Sequence, residues 1–131
     1  MYMLDTNICI YYINKKSPQM IEKIHNSLND GICISSLTLA ELEYGIAKSA
    51  NPEKNADELR RFLSIFDVLE FDGEGAVCYG KIRADLERKG TPIGNMDTLL
   101  AAHAISKKFV LVTNNVREFE RVDGLIVENW I

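Results

Sequence analysis

Tyr2-Met3-Leu4-Asp5-Thr6-Asn7 begins with a short apolar run that stops at polar turn residues. Such a run reads as a buried strand whose end is marked by Asp5. Ile8 to Asn14 is apolar again and suits a short helix capped by Asp5 or Thr6. Working outward, the alternation repeats. Ser17-Pro18 opens a helix, with Ser17 as N-cap and Pro18 at the first position. Its stripe is Met20, Ile21, Ile24 and Leu28, and Asn29-Asp30-Gly31 ends it. Ile32-Cys33-Ile34 is a second buried strand, and Ser35-Ser36 cap a helix to about Ala47 with Leu39, Leu42 and Ile46 on one face. Asn51-Pro52-Glu53 starts another helix, whose stripe is Leu59, Phe62, Leu63 and Phe66. Val68 to Phe71 suits a third strand, followed by a helix from about Gly73 to Lys89 with Gly90 just past its end. Thr91 to Gly94 is a loop, and Asn95 is placed to cap a helix through Ser106 carrying Leu99, Leu100, Ala102 and Ile105. Phe109 to Val112 is the clearest strand, and Leu125 to Val127 the last. Short apolar strands separated by helices require an α/β fold with a short, mostly parallel sheet covered on both faces.

The chain of 131 residues suits one domain, spanning 1–131. The three cysteines, Cys9, Cys33 and Cys78, are widely spaced among apolar residues. They form no disulfide framework or zinc motif, and buried free thiols fit a reducing cytoplasm. The apolar run Ile8 to Ile13 is too short to span a bilayer or drive secretion. The formal net charge of −4 is unusual for a nucleic-acid binder. Setting four acids aside for one metal site leaves acids and bases equal, at 15 each. Local basic pairs remain: Lys15-Lys16, Arg60-Arg61, Arg88-Lys89 and Lys107-Lys108. They suit a solvated surface or contacts to RNA phosphates.

In open parallel sheets, ligands bind beyond the carboxyl ends of the strands. Asp5 ends the first strand, while Thr113, Asn114 and Asn115 follow the Phe109–Val112 strand. If those strands are neighbours, their ends share one crevice. Glu41 lies early in the helix leaving the second strand, and Asp97 in the first turn of the helix feeding the Phe109 strand. Each acid also has a structural reading. Asp5 suits a helix cap, Thr38-Leu39-Ala40-Glu41 fits a capping box, and Asp97 suits a helix dipole. Glu118 and Glu120 would ordinarily be solvated. Yet Asp5, Glu41 and Asp97 all adjoin buried segments, where carboxylates need partners. If they converge, a cation is needed, and oxygen-only ligands favour Mg²⁺ or Mn²⁺. His25 and His103 make no metal pair. His103 stands six residues from Asp97 on one helix, points well away, and reads as structural.

At these residues the sequence resembles a known family. Met3-Leu4-Asp5-Thr6-Asn7 looks like the opening of PIN-domain nucleases. Ile34 to Leu42 with Tyr44-Gly45, Pro92 to Ala104, and Val112 to Phe119 resemble their second, third and fourth motifs, in order across nearly the whole chain. The pattern is similar to the VapC-type toxins of bacterial type II toxin–antitoxin pairs, within the PIN-domain ribonuclease family. The resemblance implies a three-layer α/β/α PIN-like fold. It also implies an endoribonuclease whose acids hold Mg²⁺, with Mn²⁺ able to substitute, for water attack on a phosphodiester. Carried over by residue, Asp5, Glu41 and Asp97 are the metal-binding core, and Thr6, Asn7 and Thr113 support it. The implied substrate is structured RNA, chiefly transfer RNA, with the anticodon stem-loop of initiator tRNA among the targets. The implied partners are a VapB-type antitoxin whose C-terminal segment fills the acidic groove, a second copy of the chain, and operator DNA reached through the antitoxin.

One position departs from the pattern. Where many PIN domains carry an Asp two residues after the Thr of the fourth motif, this chain has the neutral Asn115. In a subgroup sharing Asn-Asn-x-Arg-Glu-Phe the Glu serves instead, which maps to Glu118, with Glu120 as its rival. Glu43 competes weakly with Glu41, because two residues along a helix point about 200° apart. A haloacid-dehalogenase-type phosphatase also opens with a strand ending in Asp, but it needs a second Asp where Asn7 stands. A PIN scaffold that has lost catalysis and acts by protein binding is the remaining alternative.

Overall fold

The computed structural model describes residues 1–131. The elements run β1 (Tyr2–Leu4), α1 (Thr6–Ile13), α2 (Pro18–Ser27), a 3₁₀ turn (Leu28–Asp30), β2 (Ile32–Ser35), α3 (Ser36–Ala47) and α4 (Pro52–Leu63). They continue with β3 (Asp67–Leu69), α5 (Gly73–Arg88), α6 (Asn95–Lys107), β4 (Val110–Val112), α7 (Val116–Phe119) and β5 (Val127–Glu128). The strands form one sheet in the order β3-β2-β1-β4-β5, and every pairing is parallel.

Strand periodicity builds the two cores, because successive side chains leave opposite faces of the sheet. Leu4, Ile32, Ile34 and Val112 meet Ile8, Met20, Ile24, Leu42, Leu59 and Phe62 on one face. Met3, Cys33 and Leu111 meet Leu86, Leu100, Ala101, Ala104 and Phe119 on the other. Helices α1 to α4 therefore cover one face and α5 to α7 the other, giving the α/β/α layers expected. The chain adds β2 and then β3 to one side of β1 before returning to add β4 and β5 on the other. The order reverses between β1 and β4, which are hydrogen-bonded neighbours with Leu4 level with Val112.

Local signals explain most boundaries. Ser17 Oγ accepts the Met20 N–H at 3.3 Å, with Pro18 opening α2. Asp72 caps α5 by accepting from the Gly75 N–H at 3.3 Å. Gly90, just past α5, has φ +70, a region where a Cβ would be strained.

Some expectations need correction. The third strand is Asp67–Leu69 rather than Val68 to Phe71, because the Phe71 N–H donates to Ser36 Oγ at 3.0 Å instead of to a neighbouring strand. The last strand is Val127–Glu128, paired with Leu111 and Val112, rather than Leu125 to Val127. Phe109 precedes β4, and Gly94 rather than Asn95 is the N-cap of α6. Phe66 lies beyond the end of α4, folded back on Phe62 with ring centroids 4.9 Å apart. Leu28 leaves the α2 stripe for the 3₁₀ turn and is exposed. Along α6 the buried residues are continuous from Leu100 to Ala104, because the helix is wedged between the sheet and α5. Cys9 and Cys33 are buried free thiols, and Cys78 is half-buried. No helix is long and apolar enough to cross a membrane.

Candidate active site

The reversal in strand order leaves a crevice at the carboxyl ends of β1 and β4, and Asp5 occupies it. The β1–β4 ladder runs one residue beyond the strand, with the Asp5 N–H donating to Val112 O at 2.9 Å. Asp5 is then both the end of the ladder and the N-cap of α1. Its Oδ1 accepts the Thr6 N–H at 2.7 Å, and its Oδ2 accepts the Thr113 hydroxyl at 2.7 Å. Capping and a place in the site thus coincide in one side chain. Thr113, fully buried at the end of β4, also accepts the Asn115 N–H through its Oγ1 at 2.9 Å. One hydroxyl therefore orients Asp5 and shapes the turn into α7.

Glu41, half-buried on α3, accepts the Thr6 hydroxyl through Oε1 at 2.6 Å. Thr6 thereby joins the first turn of α1 to the acid of α3. Asp97 enters from the first turn of α6 and Glu118 from α7, both half-buried. Burial pushes the Asp97 carboxyl up to about 6, and the charges of Asp5, Glu118 and Glu41 push it the same way. Asp5 is also raised, chiefly by burial and slightly by Glu41, with the Thr113 and Thr6 hydrogen bonds opposing the rise. Four acids from four helices or helix starts therefore share one electrostatic neighbourhood, and no Lys or Arg enters among the causes for Asp5 or Asp97.

The remaining expected residues divide. Thr6 and Thr113 hold site carboxylates directly. Asn115 is the N-cap of α7 and reaches the site through its backbone N–H, while Asn7 is exposed on the first turn of α1. Glu43 and Glu120 are exposed, and neither is among the charges acting on Asp97. His103 is completely buried on α6 and lies outside the acid cluster, as its spacing from Asp97 requires. Its Nδ1 is 2.8 Å from Ser35 Oγ, a partner that nothing in local sequence spacing connects to it.

This donor set suits a hard divalent cation. All its atoms are oxygens, and its negative charge is uncompensated by the chain's own cations. No three Asp, Glu, His or Cys side chains stand close enough together to form a finished ligand cage. Asp5, Glu41, Asp97 and Glu118 are the residues able to contribute to such a site. Beside Glu41, an apolar groove of about 290 Å³ runs between α1, α3 and α4, lined by Ile10, Ile13, Leu42, Ile46 and Leu59.

Comparison with known proteins identifies the family. The model of the PIN domain matches residues 2–125. The chain is 48% identical over 129 residues to the tRNA(fMet)-specific endonuclease VapC of Salmonella typhimurium, covering 98% of this chain and 97% of that protein. It is 47% identical over 134 residues to ribonuclease VapC2 of Rickettsia felis, covering 98% and 97%. In three dimensions it matches a chain of Rickettsia felis VapBC2, whose crystal structure holds a promoter DNA fragment. The TM-score is 0.95, with 45% identity over 99% of this chain and 98% of that one. The chain belongs to the PIN-domain family, and within it to the VapC proteins.

Proposed function

We propose that this VapC protein, an endoribonuclease and the toxin of a toxin–antitoxin pair, cuts transfer RNA at the cluster of Asp5, Glu41, Asp97 and Glu118. The observation that carries the reading is the carboxylate cluster at the carboxyl ends of β1 and β4, where Thr6 joins Asp5 to Glu41 and the charges of Asp5, Glu118 and Glu41 act on Asp97. Asp5, Glu41, Asp97 and Glu118 would hold Mg²⁺ or Mn²⁺. The ion supplies a Lewis acid for the phosphate oxygens and a means of activating water for in-line attack. The chain's own contribution is placement. Thr113 and the Thr6 N–H hold the two oxygens of Asp5, and the Thr6 hydroxyl holds Oε1 of Glu41, which restricts both carboxylates before substrate arrives. Glu118, whose charge acts on Asp97, is proposed as the fourth acid, with Asn115 and Glu120 as its rivals.

The name of the Salmonella relative specifies initiator tRNA, and the same class of substrate is proposed here. A VapB-type antitoxin is the partner. Its C-terminal segment would lie along the apolar groove beside Glu41 and bring basic side chains to the acids. The toxin pairs with a second copy of itself and reaches operator DNA through the antitoxin, which explains a partner in a DNA complex with net charge −4. The cytoplasm, reducing and rich in RNA, is the proposed location and agrees with the free thiols.

The test is incubation of total RNA with antitoxin-free protein in Mg²⁺, Mn²⁺ or EDTA, beside Asp5→Asn, which retains a capping oxygen. A discrete metal-dependent fragment that the variant does not produce supports the reading, and sequencing its end names the bond. Folded wild-type protein that leaves RNA intact in every condition would instead favour a non-catalytic scaffold.

A further inference from the structure

The hydrogen bonds that fix Asp5 and Glu41 do not extend to Asp97. Burial and three carboxylates account for its raised pKa, and no hydrogen bond enters. The placement of Asp97 therefore depends on how α6 sits against the rest of the site. On the α3 side, one buried polar contact joins the two helices. His103 Nδ1 lies 2.8 Å from Ser35 Oγ, and Ser35 Oγ accepts the Leu37 N–H at 3.0 Å as the N-cap of α3. Both side chains have zero exposure. The Phe71 ring stands edge-on to the imidazole, 5.5 Å away, and is anchored by its backbone bond to Ser36.

The spacing of this contact is informative. Glu41 lies six residues after Ser35, and Asp97 lies six residues before His103. At the helical rise, each acid stands about 9 Å along its own helix from the contact. The Ser35–His103 bond ties the β2–α3 junction to α6, and one acid stands on each helix. A slip there of about 1 Å moves Asp97 relative to Glu41 by a similar amount, while metal–oxygen distances tolerate only about 0.2 Å.

The contact is also poorly explained as a stabilising device. His103 Nε2 is buried without a partner, and so is Thr38 Oγ1 on the neighbouring turn of α3. If Ser35 donates to Nδ1, the Nε2 proton has no acceptor. If Nδ1 donates to Ser35, the serine proton must find another partner. A half-satisfied polar contact is worse for stability than an apolar filling of the same shape. What it provides is direction, because a hydrogen bond constrains the distance and angle between its two groups.

We propose that His103 is a positioning residue, which sets the separation of Glu41 and Asp97 by locking α6 to the N-cap of α3 through Ser35. This rests on the metal-site reading above, and the test separates the two. Mn²⁺ affinity would be measured by electron paramagnetic resonance on antitoxin-free full chain for wild type, His103→Leu, His103→Asn, Ser35→Ala and Asp5→Asn. Melting in EDTA and the split of kcat against KM on RNA would accompany it. His103→Leu fills the space without the bond. It should melt no lower than wild type, bind Mn²⁺ about 10–100-fold more weakly, and lose kcat with KM unchanged. His103→Asn, whose amide reaches the Nδ1 position, should recover most of the affinity. Should the Leu variant fail to fold, Ser35→Ala and Ser35→Gly, which remove the same bond together with the α3 cap but keep the imidazole, are read against His103→Asn: wild-type affinity in either folded Ser35 variant, or no recovery in His103→Asn, overturns the role. Wild-type Mn²⁺ affinity in a folded variant lacking the bond overturns the positioning role. Equal loss in His103→Asn and His103→Leu does the same. Undiminished affinity in Asp5→Asn would overturn the metal-site reading itself and the proposal with it.

Discussion

Replacing Asp97 by Asn preserves the shape of the side chain and removes its charge. The Asp97 carboxyl rises from 3.8 to about 6 through burial and the charges of Asp5, Glu118 and Glu41. Keeping a wholly shielded carboxyl ionised against such a rise costs the fold about 3 kcal/mol. Asp97 is half-buried, and solvent screening reduces this to about 1 kcal/mol. Asp97→Asn removes the cost, so in EDTA near pH ~7.5 it should melt about 3–5 °C above wild type for a domain of this size. The sign fixes the pH dependence. The folded-state value lies above the unfolded one, so this group favours the fold fully below the unfolded value of 3.8, and that contribution is lost as pH rises to about 6. The gap between variant and wild type should therefore close when melting is repeated near pH ~4. Divalent metal should reverse the order at neutral pH. A ligand at about 100 times its Kd stabilises the form that binds it by about 2.7 kcal/mol, and only wild type retains the full site. Scanning calorimetry in EDTA and in Mn²⁺ at both pH values reads all of this. If the variant melts below wild type in EDTA at neutral pH, the reasoning fails, and Asp97 is a dipole-favoured residue of the first turn.

Three further substitutions test other parts of the site and its support. Glu118→Gln should lower kcat by roughly 10–100-fold in steady-state RNA cleavage if it is the fourth acid; unchanged kinetics would transfer that role to Asn115 or Glu120. Thr113→Val keeps the volume but removes the donor to Asp5 Oδ2, costing about 1–3 kcal/mol in urea unfolding at neutral pH and raising the Asp5 carboxyl further. An unmoved urea midpoint would show that the bond does not support the fold. Gly75→Ala places a Cβ 2.7 Å from Phe71 Cε2, against a ring that itself packs on His103, and should cost about 1–3 kcal/mol by the same measurement.

The sequence makes the β1 and β4 ends legible because polar residues interrupt apolar runs there, and apolar periodicity specifies the faces of α2 and α3. Asp5, Glu41, Asp97 and Glu118 stand out through their places at strand ends and helix starts and through the family pattern. What stays hidden is settled by partners distant in the chain. Phe71 leaves the third strand because its N–H finds Ser36, 35 residues away. Ser35 and His103 are 68 residues apart, so neither spacing nor periodicity links them. Asp5 offered capping and catalysis as alternatives, whereas its two oxygens take separate partners and allow both. Continuous burial along α6 also escapes an amphipathic reading, because a helix enclosed on several sides has no polar face to mark its orientation.

The central place of β1 has a consequence for how the site is assembled on folding. β1 is flanked by β2 and β4, and Asp5 receives its Thr113 bond across 108 residues of chain. Tyr2 packs against Trp130, with ring centroids 4.8 Å apart, so the two ends of the chain close on each other. Contacts this distant in sequence form late. The crevice that holds Asp5 is therefore complete only once β4 has paired with β1. Asp5 and Glu41, both early in the sequence, thus come to share a completed crevice only through the folding of residues as far on as Thr113.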